Sequence, residues 1–258
     1  MIRTLKQTCL SICLVLVPMA AISDQLTFTT GDWRPYIYEV DGTVDTKTPG
    51  FSIEIVNAVF AKMGHSITYK TVPFIRQIFE TGQGKFAALV GVYQEEAPKL
   101  LFPREPIGMS RNCFYTKINS SWTYKGLEQL SEVNIAVVGG YTYGEIDSYI
   151  EANNEKVIEL TGNEASMMNR LTKIVEIDRA TAFVQDIAVA EHFFKKESIQ
   201  GRFKAAGCLD AIASMIGFAP NDPRSADFAK EFDLQIIKMR ESGELRIILD
   251  KYGISDWK

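Results

Sequence analysis

The chain is poor in histidine, in cysteine and in unbroken apolar or basic runs, and each shortage removes a class of function. Its 258 residues include two histidines, His65 and His192, well separated along the sequence. A two-histidine metal centre or a Ser-His-Asp relay would depend on folding alone to assemble it, so both read as surface residues on or beside helices. No phosphate-loop signature is present, and Val138-Gly139-Gly140 lacks the downstream glycine spacing of a dinucleotide fingerprint. The formal charge is −4 with no basic run, which argues against a nucleic-acid partner. No cofactor is implied. After the first segment, no stretch approaches the roughly 20 unbroken apolar residues of a membrane span.

What is present begins with a leader. Met1 to Lys6 carries two cations, Leu10 to Ala20 is almost wholly apolar, and small residues follow, the pattern of a secretory signal peptide over residues 1–23. Ala21 and Ser23 fit the small-residue positions before a cut at Asp24, and a cut after Ala21 is the rival. Removing Arg3 and Lys6 takes the formal charge from −4 to −6. Of four cysteines, Cys9 and Cys13 lie in the leader and not at its end, which argues against a lipid anchor. Cys113 and Cys208 remain, and an oxidising compartment predicts a disulfide between them, with two buried thiols as the alternative.

Periodicity places strands and helices in alternation. Leu26 to Thr29 alternates apolar and polar, Ile55, Val59 and Met63 recur at helical spacing, and Ile67, Tyr69 and Thr71 alternate again, which predicts strand, helix, strand. Pro49-Gly50 precedes that helix and Gly64 stops it. A second helix fits Ile75 to Glu80, ended by Gly82, before an apolar strand from Phe86 to Val92. After a turn-rich interval at Pro103 to Gly108 the rhythm resumes. Strands fit Cys113 to Thr116, Asn134 to Val138, Val157 to Leu160 and Ala182 to Gln185, and helices fit Tyr143 to Glu151, Ala165 to Ile174 and Ile187 to Phe194. Strand Ser214 to Phe218 and helices Ser225 to Arg240 and Glu244 to Lys251 close the chain. The pattern is α/β, in two lobes, with βαβ sheets covered on both faces.

Open α/β sheets bind ligands where strands end, and candidate residues stand at four such junctions. Trp33-Arg34-Pro35-Tyr36 follows the first strand, and Trp33 and Tyr36 could wall a pocket or cap a lobe. Gly140-Tyr141-Thr142-Tyr143-Gly144 lies between strand and helix, where backbone N–H groups and the Thr142 hydroxyl could meet an anion or cap the helix. Asp186 ends an apolar strand and opens a helix, so it is a ligand-facing carboxylate or an N-cap. Arg76 stands at a helix start, where the dipole disfavours a cation, and so is a candidate partner for an anionic ligand group.

Together these residues resemble the periplasmic solute-binding proteins of family 3, the polar amino-acid receptors of ABC importers. The closest stretches are Phe203-Lys204-Ala205-Ala206-Gly207 through Gly217-Phe218-Ala219, and Pro223 to Gly253 with Arg240-Glu241-Ser242-Gly243 and Lys251-Tyr252-Gly253. Gly140 to Gly144 resembles the family's ligand turn, and Val184-Gln185-Asp186 the segment whose aspartate receives a ligand amino group. The resemblance implies a two-lobed periplasmic binding protein (type II) fold, two α/β lobes joined by two hinge strands. The first lobe would take residues 24–109 and 213–258, the second residues 110–212, with hinges near Pro106 to Arg111 and Leu209 to Met215. It also implies a monomeric, periplasmic protein.

Two positions depart from the pattern. After the strand end at Gly91 the family carries Thr-x-x-Arg, whose arginine clamps a ligand carboxylate, whereas here Tyr93-Gln94-Glu95-Glu96 puts Glu96 in its place. Ala87 stands where a lobe-one aspartate is usual. Arg76 or Arg111 would have to hold an anionic end, Asp186 the cationic end, and Trp33, Tyr36, Tyr93, Tyr141 and Tyr143 the apolar body. The leading expectation is a non-enzymatic protein that captures a small polar or zwitterionic ligand by cleft closure for the membrane subunits of an ABC importer. The alternatives are a degenerate lobe pair docking on a sensor ectodomain, and a periplasmic lyase or dehydratase with Glu96 as general acid or base.

Overall fold

The computed structural model describes residues 25–162 and 166–258, so the predicted leader, and Ala165 at the predicted start of one helix, lie outside the described residues. In chain order the first elements are β1 (Gln25–Thr30), the short hairpin β2 (Glu39–Val40) and β3 (Thr43–Val44), α1 (Phe51–Lys62), β4 (Ser66–Thr71), α2 (Phe74–Gly82), β5 (Ala88–Val92) and β6 (Gly108–Ser110). There follow β7 (Asn112–Lys117), β8 (Ile135–Val138), α3 (Asp147–Ala152), β9 (Val157–Leu160), α4 (Met167–Glu176), β10 (Ala182–Asp186), α5 (Ile187–Glu197) and β11 (Phe203–Cys208). The chain closes with β12 (Ile212–Phe218), α6 (Ser225–Ser242) and α7 (Glu244–Asp250).

The strands form two five-stranded sheets, in the orders β4-β1-β5-β12-β6 and β11-β7-β10-β8-β9. In the first, β1 runs parallel to β4 and β5, and β12 returns antiparallel between β5 and β6. In the second, β8 is parallel to β9 and β10, and β7 is antiparallel to β10 and β11. The chain passes between the sheets twice, from β6 into β7 and from β11 into β12.

Burial on both faces explains why the inner strands are apolar throughout. Along β7, Cys113 and Tyr115 enter one core with Phe183, Phe194 and Leu171, while Phe114 enters the opposite core with Val184, Ile146 and Leu130. On β8, Ala136 and Val138 face the first of these cores and Ile135 and Val137 the second. The other sheet packs Phe28, Val90 and Phe218 against Phe60 of α1 and Phe232 and Ile236 of α6. Gly50, before α1, has φ +96°, and a Cβ there would lie 2.2 Å from the Tyr36 carbonyl oxygen, so no larger residue fits the turn that seats this helix.

Cys113 and Cys208 are bonded, with sulfurs 2.07 Å apart, joining facing positions of β7 and β11. One local expectation is corrected: Gly82 is the last residue of α2, and the left-handed stop comes at Gly84 with φ +78°. β6 falls within the stretch Pro106 to Arg111 where the family resemblance implied a hinge, although its three residues are too few to show a period of their own. The β2–β3 hairpin has strands of two residues each, which carry no readable period.

Candidate functional site

Parallel strands end at a common edge of each sheet, and the ends of β1, β5, β8 and β10 face one another across a cleft. The cleft holds about 590 Å³ of non-protein space, part of it open to solvent. From the first sheet it receives Asp32 and Trp33 after β1, Gly91 and Tyr93 at the end of β5, and Phe74 and Gln77 from α2. The second sheet contributes Asn112, Tyr141, Thr142, Gln185 and Asp186. Glu96 lies on its wall, half-buried.

Trp33 is held by a tight reversal in which its N–H and C=O exchange hydrogen bonds with Ile37 at 3.0 and 2.9 Å. Its ring stacks on Tyr36 at 4.1 Å and meets the edge of Tyr93 at 6.0 Å. Gly91 makes room for it: φ is +85°, and a Cβ would come within 2.9 Å of Ile37 and 3.3 Å of the Trp33 ring. Tyr36 itself is buried behind Trp33, with its hydroxyl 2.8 Å from the Met109 carbonyl and 3.1 Å from Asp186 Oδ2. It supports the wall and does not line it.

Asp186 is a connecting group between the sheets. Its Oδ1 accepts the Val189 N–H at 3.0 Å, which makes it the N-cap of α5. Its Oδ2 accepts from Ser110 Oγ at 2.8 Å and the Arg111 N–H at 2.9 Å. Ser110 Oγ in turn accepts from the Tyr93 hydroxyl at 2.6 Å. Burial pushes the Asp186 carboxyl upward in pKa, against the pull of its donors, and pushes Tyr36 and Tyr93 well above the usual phenol value. Asp186 therefore caps a helix and borders the cleft, at 1% exposure.

The remaining candidates divide. Tyr141 and Thr142 reach the cleft, and the Tyr141 ring meets Phe74 edge-on at 6.1 Å across it. Tyr143 does not: its hydroxyl folds back to accept the Val138 N–H at 2.8 Å, and its ring lies in the core beside Ile146. Arg76 is exposed and pairs with Glu80 one turn on, at 2.8 Å, which answers the unfavourable helix-start position without a ligand. Arg111 turns its Nε to the Leu209 carbonyl at 3.2 Å. Neither guanidinium lines the cleft.

Glu96 was singled out in the sequence as a departure, and the structure shows what it does. Its Oε2 accepts the Tyr93 N–H at 3.0 Å, and the backbone N–H of Thr142, from the other sheet, also favours its charged form. Burial nevertheless outweighs both and pushes its pKa up to about 7. Phe74, Gln77, Asn112 and Gln185 were not foreseen. Asn112 pairs with Asp186 in the β7–β10 register, a neighbour relation that no short-range spacing carries.

Among the described residues there is no cluster of three or more histidine, cysteine or acidic side chains able to hold a metal ion, and no helix long and apolar enough to cross a membrane. The architecture is similar to that of solved binding proteins. A histidine kinase sensor domain with similarity to periplasmic binding proteins superposes with a TM-score of 0.71 at 13% identity, covering 90% of this chain and 96% of that one. An ancestral arginine-binding protein bound to arginine gives 0.69 at 18% identity, over 89% and 98%. An ABC uptake transporter substrate-binding protein from Streptococcus pneumoniae with bound histidine gives 0.68 at 16%, over 89% and 92%. Comparison with curated proteins finds no match. Residues 27–255 match the bacterial extracellular solute-binding proteins, family 3, and the chain belongs to that family.

Proposed function

We propose that this protein captures a small polar ligand in the cleft between its two lobes, residues 24–109 with 213–258 and residues 110–212, and delivers it to the membrane subunits of an ABC importer. The observation that carries the reading is that one cleft takes its walls from both sheets, while among the described residues the chain crosses between them only near Ser110 to Asn112 and Cys208 to Ile212. Such a joint lets the lobes separate and close as bodies, and a ligand drives closure by binding the closed form better than the open one. Trp33, Tyr93, Tyr141 and Phe74 offer flat apolar faces, and Gln77, Asn112, Gln185 and the Thr142 backbone offer polar edges. The predicted leader supports a periplasmic location, and the family resemblance supports a monomer.

A thermal-shift screen of the mature protein against amino acids, amines, small carboxylates and short peptides tests this. A ligand at 100 times its Kd adds about 2.7 kcal/mol, roughly 5–10 °C for a chain of this size, and should also reduce the radius of gyration in solution scattering. Absence of any shift across the panel sinks the reading. One finding favours a second destination for the signal: the likeness to a sensor domain extends over 96% of that domain. Capture of a sensor ectodomain but no importer subunit by the liganded protein would select it.

A further inference from the structure

Among the described residues, the part of the cleft around Glu96 carries three carboxylates, Asp32, Glu96 and Asp186, and no lysine, arginine or histidine; Arg34, His192 and Lys196 line an adjoining pocket that shares Asp32, Trp33, Tyr141 and Gln185 with it. Asp32 is already paired, since its Oδ1 accepts from Arg34 Nε at 2.8 Å. That leaves Glu96 and Asp186 without a cationic partner in the cleft.

Glu96 also occupies backbone N–H groups that an anionic ligand would want. The donors of Tyr93, from the first sheet, and Thr142, from the second, both act on its carboxylate. A ligand carboxylate arriving there would have to displace Glu96 and would then sit beside it in an acidic cleft, with like charges at close range. The aromatic walls point the same way. Trp33, Tyr93, Tyr141 and Phe74 present π-faces and edges around the space that Glu96 borders, a setting that attracts organic cations.

Resting on the proposed binding function and narrowing it, we infer that the ligand is a small organic cation, an amine or substituted ammonium, with no free carboxylate, and that Glu96 supplies from within the protein the carboxylate that pairs with it. An α-amino acid is rejected, because its carboxylate meets backbone donors already taken by Glu96 and would crowd against the carboxyl groups of Glu96 and Asp186. Burial of a carboxylate among donors too few to hold its charge fits this role. The titratable groups that act most on Glu96 are Glu95 and Asp147, both acids, with the phenols of Tyr93 and Tyr143 beside it, so a ligand cation would supply the charge these neighbours do not.

Matched pairs test the inference directly: titration calorimetry of each basic or aromatic amino acid against its own decarboxylated amine, which differ only in the carboxylate. The expected result is at least one amine binding tenfold or more tighter than its parent acid. Near pH 7, where the carboxyl is about half protonated, its binding should release up to about half a proton, rising toward one near pH 6, read from the dependence of the heat on the buffer's ionisation enthalpy, because a cation beside Glu96 draws it into the charged form. Glu96→Gln should abolish the proton release and weaken the amine at least tenfold. Glu96→Arg should reverse the preference toward the parent acid, so a misfolded first variant does not end the test. An acid binding better than its amine, an uncharged ligand, or binding that releases no proton overturns the cation assignment while leaving the binding function intact. If no member of the wider ligand panel binds at all, the binding function itself fails.

Discussion

Raising the pH from 5 to 8 should loosen this protein through Glu96. Burial lifts the Glu96 carboxyl from 4.5 to about 7 in the structure described, so the compact form holds the proton that the unfolded or rehydrated form gives up. The stabilisation is complete below the unfolded value near 4.5 and is lost as the pH rises through about 7. At one pKa unit per 1.36 kcal/mol the loss reaches about 3 kcal/mol at most. For a chain of this size that is roughly 6–12 °C in Tm. Lobe opening rehydrates the carboxylate and takes up part of the effect, which then shows as an increase in radius of gyration. The assay is Tm and solution scattering across pH 5–8 for the native protein and for Glu96→Gln. The burial-raised Asp186 and burial-lowered His192 titrate in both proteins, so they cancel in the difference. The reasoning is refuted if the two proteins run parallel in both measurements over the whole range.

The disulfide closes a sequence separation of 95 residues, and the Cys113→Ser/Cys208→Ser protein should lose up to about 4.7 kcal/mol, seen as a lower denaturant midpoint with an unchanged fold by circular dichroism; an unchanged midpoint contradicts this. Ser110→Ala leaves the buried Tyr93 hydroxyl and Asp186 Oδ2 each short of a partner and should cost about 1–3 kcal/mol in urea unfolding, more than Tyr93→Phe, which removes one of the two groups along with its need. Arg76→Ala should change ligand affinity less than twofold, since the guanidinium is exposed on Glu80; a tenfold loss would return it to the site.

Periodicity and punctuation made the lobes legible. The alternation over β1 and β4, the helical spacing of Ile55 and Val59, and the continuous apolar runs of β8 and β10 are local signals of which faces are buried, and the elements formed where those signals stood. The β2–β3 hairpin escaped because strands of two residues have no period to read, and β6, of three, was reached only through the resemblance that put a hinge near Pro106 to Arg111. Membership of the cleft was legible where a junction was rich in unusual residues, as at Trp33, Tyr93 and Tyr141, and the substitution at Glu96 already stood out against the family pattern. What the sequence determined by itself was therefore the alternation, the family and the departure from the family pattern at Glu96. Which way each side chain points was decided by tertiary structure alone. Tyr143 turns into the core while its neighbours Tyr141 and Thr142 face the cleft, Arg76 finds Glu80, and Tyr36 backs Trp33 without reaching the ligand space. Asp186 gathers donors from Tyr36, Ser110, Arg111 and Val189, groups separated by up to 150 positions in the chain. A site assembled from four strand ends in two sheets is a set of long-range distances, and distances of that kind exist only once the sheets have packed.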